Sequence, residues 1–395
     1  MGPEKHSRRY APSKSSIWIN CPLSTLLNDG SSNEQSEASM FGTQCHELGA
    51  ALISKSLNIV DYEKEEEPIE EIIKRLDMYT PEMQELAESY ANYVTNAVDF
   101  EKRRSESAPL VVVEQFVEMP FDEDAGGTLD FGMISSYNGG TLTIIDLKTG
   151  RLPVLAFNKD TGRFNTQLGL YALYFYKEYK DIYPVKNVRL VIYQPVISNV
   201  NDHEMPIGDL LEFERCVVIP AVERSKEENP EAISCAYCKY CSAKAICGQR
   251  NKDNSNVIAD TSKKIEMLSD DEIEELLPKL DELIQYATDV KDFALKKAMN
   301  GHKWKGFKLV HAKTQRKIGN EEAVIKVLKE NGYDPYANQK LASITELTKR
   351  IGKKKFNELV NPYVTIQEGS ISLVPESDIR EEEKIETKGN KEKWN

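Results

Sequence analysis

Between Leu110 and Gly150 the chain reads as three strands in succession, and this run limits the available folds more than any other segment. Leu110 to Val117 is rich in Val and Phe, as strands are. A turn-forming stretch, Asp122 to Gly127, separates it from a second strand, Thr128 to Ser135. Tyr137-Asn138-Gly139-Gly140 is a strong hairpin signal, because Asn and Gly tolerate the positive φ that tight turns require. The third strand, Thr141 to Lys148, ends at Thr149-Gly150. Helix formers with apolar residues at helical spacing precede this meander, from about Ser36 to Lys102. A helical, aromatic stretch from Asn165 to Tyr179 follows it, then a β-branched core strand, Val188 to Val196, and a helix around Leu210 to Lys226. Helices, a meander, a helix and a further strand predict an α/β core with a mixed sheet.

Beyond about Asn254 the character changes. Lys264 to Asn300 reads as one or two amphipathic helices opening at Ser269, whose following acids suit a helix N-terminus. A short strand, Phe307 to Val310, and more helices come next, one of them opened by a capping box of Ser343 and Glu346. The expected organisation is a core domain at 1–253, a mostly helical extension at 254–377 and a charged, disordered tail at 378–395. The formal net charge of −13 argues against a protein that coats nucleic acid by bulk electrostatics, although a local basic groove is compatible with it. The densest basic run, Lys349 to Phe356, reads equally as a phosphate contact or a solvated helix end. No apolar run is long enough for a membrane helix, and the polar, basic start from Met1 to Ser16 is unlike a secretory signal, so a cytoplasmic location is expected.

The second and third strands carry the chemistry. Asp130 lies early in one, and Asp146 and Lys148 lie at the end of the next. Strand side chains alternate, so Asp146 and Lys148 project from one face and Leu147 from the other. Two carboxylates and a lysine at one end of an apolar hairpin suit phosphodiester hydrolysis. The acids hold Mg²⁺ or Mn²⁺, and the lysine orients water or stabilises developing charge.

Further residues join this pattern in a fixed order: His46 in Gly42-Thr43-Gln44-Cys45-His46-Glu47, Glu114 in Val113-Glu114-Gln115, then Gly127-Thr128-Leu129-Asp130. Asp146-Leu147-Lys148-Thr149-Gly150 and Gln167-Leu168-Gly169-Leu170-Tyr171 complete it. From about Ile17 to Arg250 this ordered set resembles the RecB-type branch of the PD-(D/E)XK nuclease superfamily. The resemblance implies a restriction-endonuclease-like core, a mixed sheet flanked by helices. It implies Asp130, Asp146 and the Leu147 carbonyl as metal ligands, His46 as another, Lys148 as the catalytic lysine and Glu114 as an added carboxylate. Gln167 and Tyr171, four apart on one helix face, would contact DNA or brace the site.

Four of the seven cysteines fall between Cys235 and Cys247. Clustered cysteines in a cytosolic chain bind metal more often than they form disulfides. Cys238-x-x-Cys241-x5-Cys247, with Cys235 three residues ahead, admits a local four-thiolate zinc site. The RecB-like nucleases that carry a 4Fe–4S cluster instead join three such cysteines to one distant N-terminal cysteine, and Cys21 stands where that ligand is expected. The resemblance therefore favours iron–sulfur held by Cys21, Cys238, Cys241 and Cys247, with Cys235 as the alternative ligand. Cys45 and Cys216 read as ordinary buried thiols. The whole chain is also similar to a phage and prophage family of RecB-type nucleases with a C-terminal extension. The implied activity is a deoxyribonuclease, an exonuclease of phage DNA replication or recombination, with DNA and phage replication proteins as partners. The alternatives are a nuclease-fold subunit that binds DNA or a replication partner without cutting, and a zinc-ribbon interaction protein.

Overall fold

The structure is a computed structural model, which describes residues 9–27, 37–59, 67–122, 125–262, 269–311, 315–337, 340–367, 371–375 and 381–383. The chain forms two compact units, Met1–Met267 and Leu268–Asn395.

The first unit is α/β. Helices α1 (Glu37–Leu57) and α2 (Pro81–Arg104) lead into strands β1 (Leu110–Glu118), β2 (Gly126–Ser135) and β3 (Thr141–Leu147). Helix α3 (Thr166–Tyr179) then crosses to β4 (Asn187–Gln194), and β5 (Asn199–Pro206) closes the sheet. Sheet order is β1-β2-β3-β4-β5, antiparallel throughout except for the parallel β3–β4 pair. A parallel pair needs a long crossover, and α3 supplies it. The helix ends follow from the sequence. Thr80 caps α2 by accepting from the Met83 amide with Pro81 next to it, and Asn165 caps α3 by accepting from the Gln167 and Leu168 amides.

Two apolar layers sandwich the sheet. On one face Leu48, Ile53, Leu86 and Val94 of α1 and α2 pack with Phe131, Met133, Ile145, Leu147 and Val191. On the other, Leu168, Ala172 and Phe175 of α3 pack with Ile134, Leu142, Ile144, Leu190 and Ile192. All seven residues of β3 are buried, as expected for a central strand covered on both faces.

Several elements differ from the sequence reading. Strand β5 carries Asn201, Asp202 and Glu204, a composition that gives no strand signal. It exists because β4 offers an unpaired edge, and Arg189 on β4 reaches Asp202 at 2.8 Å. The helix expected around 210–226 is three segments, Ile207–Phe213, a π-helical Glu214–Val218 and Ile219–Ser225. Pro220 removes one amide from that ladder. Cys216 lies on the π segment and is exposed, because the buried face of that stretch is taken by Val218, so only Cys45 of the two is a buried thiol.

In the second unit Ser269 opens one long helix, Asp270–Met299, through a capping box with Glu272, and Ser343 opens Ile344–Ile351 with Glu346 in the same way. The strand Phe307–His311 pairs with Ile371–Pro375, and Gln315–Ile318 pairs with Val364–Gln367. Phe307 is 49% exposed, and the Trp304 indole donates to the Ala294 carbonyl. Lys349 and Arg350 close one helix, and Lys353 to Lys355 open the next, Lys353–Leu359. Leu347, Ile351 and Phe356 bury the inner faces of the two. The acidic tail lies outside the described residues except at 381–383. Among the described residues no helix is long and apolar enough to cross a membrane.

One turn is tightly specified. Gly140 takes φ 108°, and a Cβ there would lie 1.8 Å from the Pro184 carbonyl oxygen. Gly140→Ala is therefore expected to cost about 3 kcal/mol or more, read as a lower midpoint in urea unfolding.

Candidate metal centre and thiol cluster

Four elements bring acids, an imidazole and a lysine to one end of the sheet. Asp130 on β2 is held from two sides. Its Oδ2 accepts from the Leu147 amide of β3 at 2.7 Å, and its Oδ1 lies 3.1 Å from His46 Nδ1 on α1. Leu147 thus meets Asp130 through its backbone, beside the carbonyl expected to serve as a ligand. Gly42, His46 and Gly49 recur at helical spacing along α1. At Gly42 a Cβ would come within 3.0 Å of the Thr149 hydroxyl, so the small residue lets the end of β3 approach the helix.

Glu114 stands opposite Asp130 in the β1–β2 register, between the Val113–Phe131 and Gln115–Leu129 pairs. Its φ is 49°, left-handed in the middle of a strand, which costs about 1–3 kcal/mol and occurs where surrounding structure imposes it. Side-chain alternation breaks at this level: Phe131 packs toward α1 and α2, whereas Leu129, two residues earlier, packs on the α3 side. His46, Glu114 and Asp130 consequently offer ligand atoms that all lie within 4.8 Å of one another.

Asp146 is set apart from that trio. It is 2% exposed, and its Oδ2 lies 2.8 Å from Lys148 Nζ. The same ammonium donates to Gln167 Oε1 at 3.0 Å, which ties β3 to the first turn of α3. Gln167 also bonds to the Tyr171 hydroxyl one turn along. Tyr171 is buried, and a Cβ on Gly127 would come within 3.2 Å of its hydroxyl. Tyr171 thus sits inside the fold, with little surface of its own. Gln167 is half-buried and ties down Lys148.

The charges in this cluster oppose one another. Burial works against a charged His46, but Asp130, with Glu114 and Asp146 behind it, raises the imidazole to about 9. Burial pushes the Asp130 carboxyl upward, yet His46, Lys148 and the Leu147 amide together hold it below the usual carboxylate range. For Asp146 burial wins, helped by the Asp130 charge against the pull of Lys148, and its carboxyl titrates above that range. Two acids driven in opposite directions are what a site with divided roles requires. The excess of negative groups also favours a cation.

A second cluster ties the two ends of the unit together. The Ile233 amide donates to Cys21 Sγ at 3.4 Å, the Leu23 amide to the Glu231 carbonyl at 3.1 Å, and the Ser242 hydroxyl to the Leu27 carbonyl at 3.3 Å. Cys21, Cys238, Cys241 and Cys247 line one cavity. Cys235 is not among its lining residues, and its amide donates to Cys238 Sγ at 3.2 Å. Burial pushes the Cys241 thiol up, and the nearby Cys21, Cys238 and Cys247 sulfurs add to this, as grouped thiols without a metal should.

The His46 shift fixes a pH dependence. A histidine whose folded pKa is raised contributes stability below about 6.5 that is lost as pH climbs through about 9. Metal-free protein should lose on the order of 2 kcal/mol of unfolding free energy across that window. Asp130→Asn should remove most of the dependence and return His46 toward its ordinary value, read by NMR titration of the imidazole.

The chain is similar to known proteins in structure and in sequence. A solved structure described as the crystal structure of SSO0001 aligns at 15% identity and a TM-score of 0.22, over 51% of this chain and 94% of that one. A family model described as protein of unknown function, DUF2800, matches residues 6–381, nearly the whole length, and the chain belongs to that family.

Proposed function

We propose that this protein is a metal-dependent deoxyribonuclease of the RecB-type PD-(D/E)XK kind. The observation that carries the reading is the convergence, from α1, β1, β2 and β3, of His46, Glu114 and Asp130 beside the Asp146–Lys148 pair. Three carboxylates and one imidazole are a hard donor set suited to Mg²⁺ or Mn²⁺, so the residues present fit such an ion. His46, Glu114 and Asp130 would hold it, with Asp146 and the Leu147 carbonyl completing the oxygen ligands. A bound divalent cation supplies Lewis-acid polarisation of a phosphoryl oxygen.

The remaining roles belong to the chain. Lys148 carries a proton firmly, because the Asp146 and Asp130 charges outweigh the effect of its burial. Held between Asp146 and Gln167, its ammonium is fixed where it stabilises charge developing on the phosphate. Tyr171 and Gln167 keep that ammonium from swinging away. The exonuclease assignment, the role in phage DNA replication or recombination, the phage partners and the cytoplasmic location rest on the sequence resemblance alone.

We extend the proposal to the thiols: Cys21, Cys238, Cys241 and Cys247 fit a 4Fe–4S cluster whose function is structural. The cavity that the distant Cys21 shares with Cys238, Cys241 and Cys247 favours this set, and Cys235, whose thiol bonds to Cys238, stands as the alternative ligand. Such a cluster closes a loop that contains the entire sheet.

Purified protein is expected to degrade end-labelled linear DNA with Mn²⁺ and to spare circular DNA. Asp146→Ala and Lys148→Ala should each lower the rate by at least about a hundredfold. Equal inertness of wild type and both variants on single- and double-stranded DNA would sink the nuclease reading. Anaerobically prepared protein should be brown and hold iron. Cys21→Ser should lose that iron and Cys235→Ser should keep it; the reverse result, or a colourless zinc protein, selects the local site.

A further inference from the structure

Tyr90 lies on α2, outside every motif of the site, and its ring packs against α1 one turn beyond His46. The ring is 1% exposed. A Cβ on Gly49 would come within 2.9 Å of the Tyr90 ring, so the glycine one turn beyond His46 on α1 is what lets the ring in. The hydroxyl oxygen is fully buried and has no hydrogen-bond partner among the described residues. A buried, unpaired hydroxyl is costly, and in a native structure it marks a partner that arrives later or a group not yet bound. The charges within its reach are those of Asp130, Glu114 and Asp146, which with burial hold its phenol firmly protonated. The proton is therefore available for donation, and the charged groups that act on it are carboxylates.

We propose that Tyr90 is a positioning residue of the metal centre, donating its hydroxyl proton to a metal-ligating carboxylate when a divalent cation draws those acids together. The inference rests on the proposed metal site and adds to it a residue that touches neither substrate nor metal. Hydrogen bonds to ligating carboxylates orient them and tune their affinity, and losing one typically costs about ten- to a hundredfold in metal binding. The position also explains the pairing of Gly49 with Tyr90: a larger residue at 49 would push the phenol out of reach.

The test compares wild type, Tyr90→Phe and Tyr93→Phe by titration calorimetry with Mn²⁺ and by thermal unfolding without metal. Tyr93 is the control, since it is on the same helix but stacks on Tyr193 at 4.4 Å, away from the acids. The expected result is Mn²⁺ binding about tenfold or more weaker in Tyr90→Phe, with metal-free Tm equal to or above wild type, and no change in Tyr93→Phe. Unchanged Mn²⁺ affinity in Tyr90→Phe overturns the inference and leaves the metal site standing. A fall in metal-free Tm assigns Tyr90 a packing role and overturns it too. If wild type binds no Mn²⁺, the metal site itself fails and the inference falls with it.

Discussion

Burying Asp146 at the end of a strand covered on both faces is the constraint around which the first unit is arranged. A carboxylate removed from water is tolerated only with compensation, and Lys148, two residues along the same strand, provides it. Lys148 would itself be mobile without Gln167, so α3 must approach the end of β3 closely, and Asn165 caps that helix at the required place. Asp130 is fixed by the neighbouring strand's own backbone, through the Leu147 amide. The hydrogen bonds that register β2 against β3 therefore also align the acids, and sheet geometry and site geometry are one thing.

The opposite side of the cluster comes from the helical layer. His46 reaches Asp130 because α1 packs over the end of the sheet, with Gly42 and Gly49 thinning the helix where Thr149 and Tyr90 press on it. At the same level Glu114 accepts a left-handed backbone. That distortion changes which way the strand presents its side chains and brings a third carboxylate toward the imidazole. Strain of this sort persists only where neighbours over-determine the conformation, and the β1–β2 pairing on both sides of Glu114 does so.

The thiol cluster solves a separate problem. The segment around Cys21 and the segment from Glu231 to Cys247 are far apart in the chain, and each is mostly loop. Hydrogen bonds join them, from the Leu23 amide to the Glu231 carbonyl and from the Ile233 amide to Cys21 Sγ. A metal held by the four thiols, as proposed, would reinforce this seam.

Much of this was readable from the residues. The β-meander, the helix start at Ser269, the capping box at Ser343 and the helix starting at Asn165 are local signals, set by side-chain alternation and by groups that satisfy their own neighbours' amides. The spacing of Asp146 and Lys148 on one face follows from the strand period alone. What the chain order does not contain is whatever depends on separate elements meeting. Strand β5 forms because an edge was open, not because Asn199–Pro206 favours a strand. The left-handed backbone at Glu114 is likewise unreadable, because a positive φ at a glutamate has no sequence signature. Tyr90 gave no signal, since one tyrosine on an amphipathic helix reads as core. The choice of Cys21 over Cys235 was open while only spacing was known, and a cavity lined by the distant cysteine favours one set. The sequence thus determined which chemical groups were present and which elements carried them. Tertiary packing decided which of them share one charged cluster, because that depends on long-range contacts and not on neighbours in the chain.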